Sequence, residues 1–208
     1  MPDTDLPTAV VWDVGRVLIR WDLRCLFAKM IDDPRELEWF VSNVVTEQWH
    51  HQHDEGRPLA DMVAERIAEY PDHETPIRAY ASRFNETIPG PVPGTHDLVR
   101  RLHANGVRLF GLTNFGDEFW AGFRPTEPLF DLFEDIVVSG TEKLAKPEPG
   151  IYKLAEKRFG LPPSQLLFID DKAENIAAAQ DRGWHGHVFT DAARLEADLV
   201  GCGLLDPT

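Results

Sequence analysis

Five short apolar, β-rich runs constrain this chain more than any other feature: Ala9 to Trp12, Val107 to Leu112, Asp135 to Ser139, Leu166 to Ile169 and His187 to Thr190. Between the later runs lie helical segments with legible ends. Thr95 is positioned to cap a helix that runs through Leu98, Val99 and Leu102 to Gly106, and Pro149 to begin another through Ile151, Tyr152, Leu154 and Ala155 to Gly160. A third spans Glu174 to Arg182, with Gly183 after it. Strands that alternate with helices return through right-handed crossovers, so the pattern predicts an α/β, Rossmann-like three-layer fold with a parallel sheet at its centre.

The stretch from about Leu23 to Asn85 breaks the alternation. Leu26, Phe27, Met30 and Ile31, then Leu37, Phe40, Val41 and Val44, then Met62, Ile67 and Tyr70 follow helical spacing. This predicts an all-helical cap inserted after the first strand, with Pro89, Gly90, Pro91, Pro93 and Gly94 as a stiff linker back into the sheet. The expected division is a core of residues 1–22 and 89–208 and a helical cap of residues 23–88.

Charge and cysteine usage exclude several classes of function. With 35 acidic against 21 basic residues the formal charge is -14, a field that repels polyphosphate backbones, so nucleic acid is not an expected partner. Cys25 and Cys202 are too few for a disulfide framework and fit a reducing compartment. Met1 to Thr8 lacks a basic region followed by an apolar one, and no stretch approaches the roughly 20 apolar residues of a membrane span. The expectation is a soluble, unprocessed cytoplasmic protein with no membrane partner. Oligomeric state is not legible.

In an open parallel sheet, ligands bind at the carboxyl ends of the strands. There the first run delivers Asp13, the second Thr113 and Asn114, the fourth Asp170 and Asp171, with Asn175 a helical turn on, while Lys146 follows the third in Lys-Pro-Glu-Pro-Gly. Each has an ordinary reading: Asp13 as a turn former, Thr113, Asn114 and the diacid as helix caps, Lys146 as a solvated loop residue. Their joint occurrence in this order, each after its own strand, points to one shared site.

The order and wording of these segments resemble the haloacid dehalogenase-like superfamily over nearly the whole chain, most of all the branch of sugar-phosphate phosphatases, epoxide-hydrolase phosphatase domains and 2-haloacid dehalogenases. The resemblance implies a Mg²⁺-dependent phosphatase acting on a small phosphorylated metabolite such as a sugar phosphate. Asp13 would be the covalent nucleophile, and Lys146 would hold both nucleophile and phosphate. Thr113 and Asn114 would donate to phosphate oxygens. Mg²⁺ would be held by Asp13, Asp171 and the carbonyl of Gly15, with Asp170 as a further or outer ligand.

Two positions depart from the family pattern. Gly15 stands where a second aspartate usually acts as general acid, so proton transfer must come from elsewhere or be dispensable. Asp22, His51 and His53 are candidates, against an ordinary reading of His50-His51-Gln52-His53 as a polar helix end; a sugar 1-phosphate would also need less help. Arg16, where a glycine is usual, either contacts phosphate or lies in solvent. Two rival functions follow. A metal-independent 2-haloacid dehalogenase needs no proton, but Asp170 and Asp171 would repel its anionic substrate, and Arg24 and Arg35 are its only candidate carboxylate binders. The other rival is a catalytically weak binding or regulatory protein. Trp21, Trp39, Trp49, Phe115, Phe119 and Trp120 are candidates to frame the substrate, with Phe119 and Trp120 favoured because they follow Asn114 closely.

Overall fold

A computed structural model describes residues 6–207. A five-stranded sheet, β1 (Ala9–Trp12), β4 (Arg108–Thr113), β5 (Asp135–Val138), β6 (Leu166–Asp170) and β7 (His185–Val188), has the order β5-β4-β1-β6-β7 with every pair parallel. β1 is central, and the chain leaves it first for β4 on one side and later for β6 on the other. That reversal opens a crevice at the carboxyl end of β1. The register sets Trp12 beside both Gly111 and Ile169, so Asp13 emerges level with the ends of both neighbours.

Alternation along the strands sorts their side chains into two layers. Val10, Trp12, Leu109 and Leu167 face α6 (Thr95–Ala104) and α11 (Ala192–Gly201), and their cluster runs on into the helical segment that follows β1. Ala9, Val11, Phe110, Leu112 and Phe168 face α9 (Pro149–Phe159) and α10 (Ala173–Gln180), where Tyr152 and Trp184 complete a second cluster. The three-layer α/β class expected from the strand-helix alternation is the one observed.

Between β1 and β4 lie α1 (Arg24–Phe27), α2 (Pro34–Asn43), α3 (Glu47–Asp54), α4 (Leu59–Glu69) and α5 (Glu74–Ser82). Two of these have chemically defined starts. Asp33 accepts from the Arg35 amide ahead of Pro34, and Thr46 accepts from the Trp49 amide at 3.0 Å to begin α3. Two short helices, α7 (Asp117–Phe123) and α8 (Ser139–Glu142), follow β4 and β5.

Several local expectations are corrected. The segment read as a mere linker forms a strand, β3 (Gly90–Pro91), antiparallel to β2 (Ile19–Arg20), so a two-residue ribbon closes the neck of the helical segment. Thr95 does not cap α6: Gly94 occupies that position at φ 84°, and the Thr95 hydroxyl bonds back to the Val92 carbonyl at 3.0 Å. β7 lies two residues earlier than its apolar pattern suggested, because Leu167 pairs with His185. Ser139 leaves β5 to start α8. Among the described residues no helix is long and apolar enough to cross a membrane.

Candidate active site

Asp13 extends the β1 ladder by one bond, its amide donating to the Ile169 carbonyl at 2.9 Å, and its side chain then turns into the crevice. The ammonium of Lys146 lies 2.9 Å from Asp13 Oδ1, 2.7 Å from Asp170 Oδ2 and 2.9 Å from the Leu112 carbonyl. Three acceptors therefore fix a cation that is 3% exposed. The loop carrying it is pinned by Asn114, whose amide donates to the Lys146 carbonyl at 3.0 Å while its oxygen accepts from the Lys146 amide at 2.9 Å. The Lys146-Pro147 peptide is cis.

Asp170 is fully buried and fully engaged. Beyond Lys146 it accepts from the Lys172 amide at 2.8 Å and from Asn175 Nδ2 at 3.0 Å to each oxygen. Asn175 is held in turn by the Tyr152 hydroxyl, which donates to its carbonyl at 2.9 Å. Asp171, by contrast, is half-buried and lines a cavity of about 270 Å³ together with Asp13, Gly15, Arg16 and Asn114. Oxygens of Asp13, Asp170 and Asp171 lie within 4.8 Å of one another.

Three carboxylates against one lysine leave the cluster short of positive charge. Burial pushes the Asp13 carboxyl up to about 7; Lys146 pulls it down, while Asp170 and Asp171 push it further up. Asp171 is raised for the same reasons, burial first and the Asp170 charge second. Burial by itself would lower the Lys146 ammonium, but Asp13 and Asp170 more than offset it and hold the group charged. Thr113, at the end of β4, is buried with its hydroxyl lacking a hydrogen-bond partner. In a native interior such a group usually has a ligand or water to serve.

The loop after Asp13 gives the two departures a structure. A Cβ added at Gly15 would meet nothing within 4 Å, so this position opens onto the cavity. Arg16 adopts φ 62°, a left-handed conformation uncommon for a side-chain-bearing residue, and its guanidinium pairs with Glu47 of α3 and sits 5.2 Å from the Trp21 ring centroid. It is therefore neither a free solvated residue nor aimed only at phosphate; it ties the loop after Asp13 to the opposite wall.

That wall is α3, where the structure departs most from what local sequence suggests. The histidine run does form the end of α3, with His51 and His53 in its last turn, and His50 and His51 also line the cavity, as do Glu47, Gln48 and Asp54. His53 faces the other way: it is 1% exposed, donates from Nδ1 to the Arg57 carbonyl at 2.9 Å and approaches Phe119 edge-on. Asp22 pairs with Arg24, which also holds Glu38, and neither Arg24 nor Arg35 lines the cavity. The favoured aromatics are core residues. Phe119 stacks on Phe84 at 3.9 Å between centroids, and Trp120 packs on Phe115 and Phe130. Trp21, Phe84 and Phe115 line the cavity instead. Phe84 and Asp54 are cavity residues that local sequence does not single out; the one usable signal for Asp54 is its spacing of three and four residues from His51 and His50.

The floor depends on one close approach. The Ser139 hydroxyl donates to the Asp54 carbonyl at 2.5 Å and accepts from the Phe115 amide at 3.0 Å, and a Cβ at Gly140 would meet the Asp117 nitrogen at 2.5 Å and the Phe115 oxygen at 2.8 Å. Backbone cannot yield as a side chain does. Gly140→Ala is expected to cost about 1–3 kcal/mol in urea unfolding, and Gly122→Ala, with nothing within 4 Å of the new methyl, less than about 0.5 kcal/mol.

Comparison with known proteins agrees with this architecture. A sesquiterpene phosphatase of Aspergillus oryzae is 28% identical over 93% of this chain and 97% of its own. A phosphoglycolate phosphatase of Pseudomonas savastanoi is 30% identical, but the match spans 51% of this chain and 39% of the relative. Among solved structures, a magnesium and phosphate complex of a HAD-family enzyme from Bacteroides thetaiotaomicron superposes with a TM-score of 0.67 at 24% identity, covering 91% and 98% of the two chains. An L-2-haloacid dehalogenase from Xanthobacter autotrophicus superposes at 0.61 with 18% identity, covering 97% and 85%. A family model described as haloacid dehalogenase-like hydrolase matches residues 28–183, a span that includes Thr113, Lys146, Asp170 and Asp171. This chain belongs to the haloacid dehalogenase-like hydrolase family.

Proposed function

We propose that the protein is a Mg²⁺-dependent phosphatase that hydrolyses a small phosphate monoester through an aspartyl phosphate on Asp13, with residues 23–88 serving as a helical cap over the core of residues 1–22 and 89–208. The observation that carries this reading is the gathering of Asp13, Asp170 and Asp171 within 4.8 Å beside a single buried lysine. The donor set fits a hard divalent cation, because oxygen ligands predominate and the cluster lacks the positive charge to keep Asp13 ionised. Asp13, Asp171 and the Gly15 carbonyl would hold the ion, while Asp170, its oxygens already occupied, fixes Lys146. When bound, Mg²⁺ supplies charge that offsets both the carboxylates and the incoming phosphoryl group.

The chain's own residues do the rest. Asp13 Oδ attacks phosphorus; Lys146, bonded to that carboxylate, offsets charge on the transferring oxygens; Thr113 Oγ and Asn114 orient them. Water then cleaves the aspartyl phosphate and restores Asp13. The small phosphorylated substrate rests on relatives bearing phosphatase names, and the apolar patch of Ile19, Trp21, Phe84 and Phe115 would receive its non-reacting part. A dehalogenase reading finds less support: it needs a cation for a substrate carboxylate but no metal, Arg24 and Arg35 stand away from the cavity, and Arg16, which lines it, is paired with Glu47.

Phosphate release from p-nitrophenyl phosphate with and without Mg²⁺, beside a chloroacetate control, tests the proposal. Metal-dependent phosphate release is expected, together with a rise in Tm of about 5–10 °C at a hundredfold excess of Mg²⁺ over its Kd. Halide release without metal would overturn the reading.

A further inference from the structure

We propose that His51, backed by the buried carboxylate of Asp54, is the general acid and base of this site, taking from the opposite wall the role that Gly15 cannot perform. The inference rests on the phosphatase reading and adds to it the identity of the proton carrier.

The reaction sets the requirement. When the phosphorus–oxygen bond of an alkyl ester breaks, the electron pair stays on the leaving oxygen, and an alkoxide departs slowly unless it is protonated as the bond breaks. Gly15 offers no proton, and open space lies where its side chain would be. The donor must therefore be another group on the same cavity. Asp13 attacks, and Asp171 belongs to the acidic cluster. Glu47 is committed to Arg16. His50 is buried, with Nδ1 2.5 Å from the Tyr80 hydroxyl and Nε2 3.4 Å from Asp54, and burial holds its imidazole on the neutral side.

His51 differs on each count. It is half-exposed on the cavity, and its two ring nitrogens face carboxylates: Nδ1 lies 3.7 Å from Asp54 Oδ2 and Nε2 3.6 Å from Glu55 Oε1. Both separations are ion-pair contacts too long for hydrogen bonds, so the ring is supported in its charged form without being locked and remains free to turn an N–H to a substrate. Asp54 has a second relevant feature. It is 5% exposed, and its Oδ1 has no hydrogen-bond partner, leaving an acceptor free in the wall behind the histidines. The charged and titratable groups around His51 are Asp54, Glu55, Glu47 and His50 on its own helix and Lys172 from the loop after β6. Contact with Asp54, the largest cause, together with the charges of Asp54 and Glu55 outweighs the partial burial of the ring and the opposing charge of Lys172, and leaves a net push upward. The protonated form is therefore available near neutral pH.

The proton balance closes within these groups. In the first half, Asp13 Oδ bonds to phosphorus, the ester bond breaks, and the leaving oxygen takes the His51 proton and departs as an alcohol. In the second, neutral His51 accepts a proton from the attacking water, the bond between phosphorus and Asp13 breaks, and phosphate leaves with both residues restored.

The test pairs two esters with three variants in saturating Mg²⁺. p-Nitrophenyl phosphate has a leaving group that needs no proton, and glycerol 2-phosphate has one that does. For His51→Gln the initial burst of p-nitrophenol is expected to slow at most a few-fold, while turnover of glycerol 2-phosphate falls about 10²- to 10⁴-fold and the alkaline limb of its kcat profile disappears. Asp54→Asn should shift that limb to lower pH. In His51→Gln carrying Gly15→Asp, the new carboxyl enters the open space and restores at least tenfold of the lost alkyl-ester turnover. Equal losses on both esters, an unchanged His51→Gln, or no rescue would overturn the assignment of His51 while leaving the phosphatase reading in place. A parent enzyme that releases phosphate from neither ester would overturn the phosphatase reading itself.

Discussion

Asp13→Asn is expected to lower phosphatase turnover by about 10⁴-fold or more and to leave the protein folded. The amide keeps the shape of the carboxylate, so its oxygen still accepts from the Val14 amide, now 2.7 Å from Oδ1, and from Lys146. It cannot form the phosphoryl ester. The effect on stability has a sign that separates this account from a merely structural aspartate. The Asp13 carboxyl stands near 7 in the folded protein against an ordinary 3.8, so the folded state binds more protons than the unfolded one between these values. Its contribution is therefore lost as pH rises through that window. Asparagine removes the charge that incurs this cost. At pH 8 without metal, the variant should melt no lower than the parent, and it should lose most of the parent's gain from Mg²⁺. A variant several degrees less stable under those conditions would mean that ionised Asp13 supports the fold.

Lys146→Met produces the largest expected loss of stability. Methionine fits the volume, yet it leaves the buried Asp13 and Asp170 carboxylates facing one another without their cation, and breaking a buried pair in this way costs about 3–5 kcal/mol. It also frees the Leu112 carbonyl, which accepts the third Lys146 proton. Urea unfolding at pH 8 should register the loss. Acidification toward pH 5 should recover part of it, because protonating Asp13 removes the uncompensated charge. A loss under 1 kcal/mol would show that the lysine is not what holds the acidic cluster together. Turnover should vanish even where the variant is folded.

The parts of this site legible in the sequence are those that the sheet positions. Strands buried on both faces read as continuous apolar runs, so their ends are visible, and Asp13, Thr113 and Asp170 could be placed before any packing was known. Lys146 and Asn114 were equally visible, although their reciprocal backbone bonds were not. The α3 wall was far less readable for a definite reason. On a helix, one turn carries His50 and His51 toward the cavity and His53 toward α7, and only the position of the neighbouring helices decides which face is which. The aromatics present the same ambiguity. Phe119 and Phe84 stack on each other, but Phe84 alone reaches the cavity, a difference without a signature in local spacing. The β2–β3 ribbon was invisible because two-residue strands, one containing Pro91, carry no periodicity.

Gly15 gains meaning in this setting. The commonest arrangement of the family places its acid two residues after the nucleophile, on the same loop. Here that loop instead spends its next side chain, Arg16, on a bridge to Glu47, and the cavity's titratable histidines stand on α3. Carrying the acid on α3 would make proton transfer depend on the position of that helix, so substrate fit against Trp21 and Phe84 and chemistry at Asp13 would be linked through it.

The central claim is that Asp13 is phosphorylated during turnover, and rapid acid quenching of the enzyme mixed with p-nitrophenyl phosphate and Mg²⁺, followed by peptide mapping, tests it directly. The account predicts a phosphoryl group on the peptide carrying Asp13, present in the parent and absent from Asp13→Asn. Phosphate release without any phosphoryl-enzyme, or a phosphoryl group on another residue, would contradict it.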